Sequence, residues 1–189
     1  SMLAIWFVVG RLHDAQLPTP VAARPATSNT ADFRVPVLMY HRINDDALNS
    51  SSPLLRDLTV PVADFEAQIR YLVEHEFTLL SAGDVDEAVR LRRPLPEKAV
   101  VVTMDDGYKD NFDYASPILR RFRAPATIFL VTSTVGSVGH LTWDEVLLMK
   151  RERISYGSHT VTHPDLTILP VARLDYELRE SKREIEVRT

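Results

Sequence analysis

Val100-Val101-Val102-Thr103-Met104-Asp105-Asp106-Gly107-Tyr108 is an apolar, β-branched run that ends abruptly in two adjacent carboxylates and a glycine. Such a run reads as a buried strand that delivers charge to its C-terminal tip. Farther along, Ser158-His159-Thr160-Val161-Thr162-His163 offers two imidazoles four positions apart. That spacing lets both reach one point from a single helical turn or a tight loop. Taken alone, Asp-Asp-Gly is an ordinary turn or helix-entry signal, and His-x-x-x-His is weak. Their context is stronger. Each follows a short strand-like segment, Ala99 to Met104 and Ile154 to Tyr156, and so falls where an α/β fold gathers its site. One carboxylate with two histidines is a metal-binding set.

Working outward, Pro94 and Pro96 end the helix that precedes the Ala99–Met104 strand. That helix opens at Ser81 with Asp84 three residues on, and its inner face is Val85, Ala88 and Val89. Before it, Phe77 to Leu80 is a strand, and Phe65, Ile69, Leu72 and Val73 form the apolar stripe of a helix from about Ala63 to His75. Val35 to Tyr40 is the first strand, with His41 at its tip and a surface loop, Asn44 to Pro53, beyond it. Downstream, Ser116-Pro117 has the form of an N-cap followed by proline at the first helical position, with Ile118, Leu119 and Phe122 turned inward. Ala126 to Val131 is the next strand, and Thr142-Trp143-Asp144-Glu145 is a capping box opening a helix through about Lys150. Leu174, Leu178 and Ile185 mark a last helix from about Val171 to Val187. The alternation of strand and helix predicts an α/β fold with parallel strands and outer helices.

The chain has 189 residues, 45% hydrophobic and 25% charged, which fits one domain with a sizeable core. A net charge of -4 without a long basic run speaks against nucleic acid as a partner. With no cysteine, any metal must use nitrogen and oxygen ligands. Leu3 to Val9 is a continuous apolar run, far short of the roughly 20 residues that span a bilayer. Residues 1–15 are read as the remainder of a signal or anchor segment, with an added strand or core-packing segment as the alternative. Residues 16–32, with Pro18, Pro20 and Pro25, are read as a linker, and 33–189 as the catalytic-type unit. An apolar segment joined by a linker to such a unit predicts a cell-envelope or extracellular location, membrane-tethered through an upstream segment.

Thr103-Met104-Asp105-Asp106-Gly107-Tyr108 resembles the first motif of the polysaccharide deacetylases (carbohydrate esterase family 4), and Ser158-His159-Thr160-Val161-Thr162-His163-Pro164 resembles the second. The resemblance extends through Pro36-Val37-Leu38-Met39-Tyr40-His41, Pro125-Ala126-Thr127-Ile128-Phe129-Leu130 and Leu141-Thr142-Trp143-Asp144-Glu145. Met104 stands where the family usually has Phe, a change of similar bulk. The resemblance implies a partial or irregular (β/α) barrel and a metal-dependent hydrolase that removes N-acetyl groups from the amino sugars of a polysaccharide. It implies Asp106, His159 and His163 as ligands and Asp105 as general base towards a metal-activated water. His41 and Tyr108 are candidates for contact with substrate or for support of the ligands. Zinc suits the ligand set, and cobalt, nickel or iron can occupy the same atoms.

Three later family motifs, an Arg-Pro segment, an Asp/Trp segment and a Leu-x-His, are not found by Thr189. The resemblance is therefore to the N-terminal portion of such an enzyme. The expected explanations are a fragment, completion by a partner chain, or a natural non-catalytic relic. An opened barrel exposes the edges of its first and last strands, which predicts self-association. The competing reading is a non-catalytic metal-binding or interaction module of the same fold. A magnesium-dependent phosphohydrolase is disfavoured, because it leaves the paired histidines unexplained.

Overall fold

The computed structural model describes residues 34–46 and 51–189. The segments read as an N-terminal apolar stretch and linker lie outside the described residues, as does part of the expected Asn44–Pro53 loop. A parallel five-stranded sheet is built around β5 (Ala99–Asp106). Its other strands are β1 (Val37–Tyr40), β4 (Thr78–Leu80), β6 (Ala126–Leu130) and β7 (Ile154–Ser158). Val101 pairs with Val37 of β1 and with Leu80 of β4, so those two strands lie on opposite sides of β5. Thr103 pairs with Met39 of β1 and with Thr127 of β6, which puts β6 on the same side as β4. Thus β4 covers the start of β5, and β6 takes over where the strand approaches the aspartates. β7 follows β6 in parallel, with Leu130 paired to Ser158. Among the described residues, β1 and β7 pair on one side only, consistent with the open edges expected above.

A separate parallel pair, β2 (Arg42–Ile43) and β3 (Thr59–Val60), and the short helix α1 (Pro53–Asp57) sit beside the β1 tip. Neither was foreseen, because two-residue strands have no periodicity to read. The longer helices are α2 (Val62–Glu74), α3 (Ala82–Leu91), α4 (Ser116–Phe122), α5 (Trp143–Lys150) and α6 (Val171–Arg188). The capping boxes at Ser81 and Thr142 both form. Ser116 does not cap: the chain is already helical through a π-helical turn at Asn111–Ala115, so the Ser116 hydroxyl bonds Glu152 instead, at 2.8 Å.

Phe65, Ile69 and Leu72 of α2 enter the core, and Phe65 meets Tyr40 edge-on at 5.0 Å. Full burial of such a side chain is worth about 1.5–3 kcal/mol. Val73, expected inside, lies on the exposed rim of the stripe, and Val89 of α3 is likewise exposed. The reason for Val89 is that α3 rests on β4, a strand of three residues, which shelters Ala88 and little more. On α6 the inward line is Glu177, Ser181 and Ile185, while Leu178 faces solvent. Met104 is fully buried with Val102, Ile128 and Leu130 in the central cluster. Among the described residues no helix is long and apolar enough to cross a membrane.

Candidate metal centre

The β5 tip owes its shape to a conformational break. Asp106 has φ 70° and Gly107 φ 72°, both left-handed. A side chain at Gly107 would put its Cβ 2.7 Å from Leu130 Cδ2, and Leu130 is fully buried. Glycine is thus required both by dihedral angle and by contact. The turn ends strand alternation and leaves both Asp105 and Asp106 in electrostatic reach of His159.

The histidines stand on a loop after β7, not on a helix. His159 N–H donates to Leu130 O at 2.9 Å, and Thr132 and Ser133 donate to the carbonyls of Thr160 and Val161 at 3.2 and 3.0 Å. The loop is therefore laid along the end of β6, directly beside the Asp106 turn. Thr160 and His163 have φ 70° and 56°. Left-handed conformations at non-glycine residues cost on the order of 1–3 kcal/mol each and persist only where the surroundings impose them. Here Thr160 Oγ1 accepts from His163 N–H at 2.9 Å, and Ser158 Oγ accepts from Thr160 N–H at 3.2 Å.

This folding brings Asp106, His159 and His163 together, with one ligand atom from each lying within 4.8 Å of the others. The two Nε2 atoms are 3.0 Å apart, and they lie 3.5 and 3.8 Å from Asp106 Oδ1. Donors placed about 2.0–2.1 Å from a common tetrahedral centre sit about 3.3 Å from one another, so the spacing fits a divalent cation. Asp106 and His159 are largely covered, whereas the His163 side chain is 59% exposed, which leaves one face open to water and substrate. Burial holds the His159 imidazole below its usual range against the pull of Asp105, favouring the neutral form that ligates.

Asp105 stands next to this group. Burial pushes its carboxyl above the usual range, and the Asp106 charge adds to that, while His159 and His41 oppose it. His41 thus lies on the site side of the β1 tip, where Asn111 Nδ2 donates to its carbonyl at 2.9 Å. Burial and then the neighbouring Asp106 charge push the Tyr108 hydroxyl above its usual pKa range, its ring stacks on His140 at 5.2 Å, and the Arg42 guanidinium covers it at 4.8 Å. Arg42 in turn pairs with the buried Asp110 at 3.0 Å. Arg42, Asp110, His140 and Glu177 are participants the sequence reading missed. Asp110, two residues after Tyr108, offered proximity as a signal; Glu177 looked like one of many helix acids.

The polysaccharide deacetylase family model matches residues 92–189. YxkH of Bacillus subtilis is 31% identical over 150 residues, which is 79% of this chain and 50% of YxkH. The poly-beta-1,6-N-acetyl-D-glucosamine N-deacetylase of Escherichia coli is 30% identical over 139 residues, 65% of this chain and 20% of that enzyme. The chain therefore spans half the length of the first relative and less of the second. The Streptococcus pyogenes deacetylase PplD, solved in complex with acetate, superposes with a TM-score of 0.72 at 30% identity, covering 82% of this chain and 68% of PplD. Sequence and fold agree, and the chain belongs to the polysaccharide deacetylase family.

Proposed function

We propose that the chain carries the metal site and general base of a hydrolase that removes N-acetyl groups from the amino sugars of a polysaccharide. The observation that carries this reading is the convergence of Asp106, His159 and His163 beside the half-buried Asp105 at the strand tips. Asp106 Oδ1 and the two Nε2 atoms would hold a divalent cation, most suitably zinc. Such a cation lowers the pKa of water from about 15.7 towards 7 and polarises a carbonyl. Asp105, outside the ligand group but beside it, accepts the proton of the attacking water. The water oxygen joins the acetyl carbon, the leaving nitrogen takes up a proton as the C–N bond breaks, and acetate and a free amine result. Tyr108 stands near Asp106 and His41 near Asp105, where either can contact substrate or support the ligands.

Relatives named as N-deacetylases of an N-acetylglucosamine polymer support this substrate class, and we read the site of action as the cell envelope or the outside of the cell. The open edges of β1 and β7 favour pairing with further strands, from a second copy or from the rest of the protein. The test is acetate release from N-acetylglucosamine oligomers by the full-length protein. Activity that chelation removes and zinc or cobalt restores is expected. No release at any metal loading would favour the non-catalytic binding module instead.

A further inference from the structure

Glu177 lies in the middle of α6 and its side chain has no exposed surface, an unusual place for a carboxylate. Its two oxygens are saturated by protein donors. Oε2 accepts from the backbone N–H groups of Val161 and Thr162, each at 2.8 Å. Oε1 accepts from Thr162 Oγ1 at 2.7 Å and from Arg173 Nη2 at 2.7 Å. Val161 and Thr162 are two of the three residues between His159 and His163. The third amide, Thr160 N–H, is held by Ser158 Oγ, which pairs at 2.6 Å with Ser181 Oγ, one turn along the same helix. One face of α6 therefore engages, directly or through Ser158, every amide between the two imidazoles.

An apolar residue at this position would fill the space but orphan the amides, whose loss of partners in a buried site is costly. Burying a charge is also costly unless it is fully paired, so the four donors and the buried carboxylate make sense only as one unit. What that unit fixes is the backbone that spaces the imidazoles. We propose that Glu177 is a positioning residue for the histidine pair: through the loop amides it holds the imidazoles at metal-binding separation and thereby sets the affinity for a divalent cation. This rests on the metal-site reading above and adds a determinant that touches no ligand side chain.

The experiment measures cobalt and zinc affinity of the purified chain by competition with a chromophoric chelator, for wild type, His163→Ala, Glu177→Ala and Glu177→Gln. Hydrogen exchange of the Val161 and Thr162 amides is followed in the metal-free proteins. Glu177→Ala is expected to weaken binding about 10–100-fold and to speed exchange at both amides. Glu177→Gln keeps an oxygen for the amides but turns an NH2 group towards Arg173, so a smaller loss, about threefold to tenfold, is expected. If Glu177→Ala does not fold, Glu177→Gln decides the matter alone. A merely structural role lowers stability without moving affinity in the folded variants. Wild-type affinity in those variants, with binding lost in His163→Ala, overturns the proposal and leaves the metal site standing. No binding by wild type overturns both.

Discussion

Asp106 is delivered by a turn that its own neighbours make, with Gly107 in the left-handed region and Leu130 packed beneath it. His159 and His163 are delivered by a loop that, besides its own bonds and those to the end of β6, is tied down by Glu177 and Ser181 from α6. The first arrangement is local and needs a specific backbone; the second is long-range and needs a specific partner. A single cation site thus has one half encoded within a few residues and the other half dependent on a separate helix.

The largest effect should come from separating chemistry from binding on the β5 side. Asp105→Asn is expected to lower kcat by about 10²–10⁴-fold while metal affinity stays near wild type, because Asp105 is outside the ligand group. Parallel acetate-release and metal-titration measurements check it; loss of metal in this variant would merge the roles of the two aspartates. Next, Gly107→Ala should strike the turn alone. The left-handed dihedral and the Leu130 contact together should cost about 1–3 kcal/mol in urea denaturation. A neutral result would mean that Leu130 gives way, and that the turn is less fixed than its packing implies.

A smaller, pH-dependent effect belongs to the loop side. Burial opposes the charged form of Glu177, but the Thr162 hydroxyl, the Thr162 and Val161 amides and Arg173 outweigh it and hold the carboxyl below the ordinary glutamate range. A folded-state pKa below the unfolded one gives stability that is present above the unfolded value and lost as pH falls through the folded value. The wild-type Tm should therefore fall more steeply below about pH 4.3 than that of Glu177→Gln, measured by circular dichroism. Smallest of all, Arg179→Ala breaks an exposed α6 ion pair with Asp175 and should leave the urea midpoint indistinguishable from wild type. That contrast with Glu177, two residues away, would show that α6 matters through its buried acid rather than through its charges in general.

The same division explains what could be read from the amino-acid order. The strand ending in Asp105-Asp106-Gly107 was legible because hydrophobic run, charge and glycine are contiguous, and the capping boxes at Ser81 and Thr142 because their partners lie three residues apart. The five parallel strands followed from their alternation with helices. The β2–β3 pair was not legible, since its register depends on contact between Arg42 and Thr59 across a loop. Nor was the helical turn before Ser116, where the Ser-Pro signal is overridden by a chain already coiled. Glu177 was hidden for the most instructive reason. An acid on a helix reads as solvated, and only the folded loop amides reveal why this one is inside while Leu178 is out.

The central claim is that Asp106, His159 and His163 share one cation. Anomalous diffraction at the zinc edge from zinc-soaked crystals tests it most directly. The expected result is a single strong peak within about 2.0–2.2 Å of an Asp106 oxygen and both Nε2 atoms, with Asp105 unligated. A peak elsewhere, or none at these three side chains with zinc in excess, would contradict it.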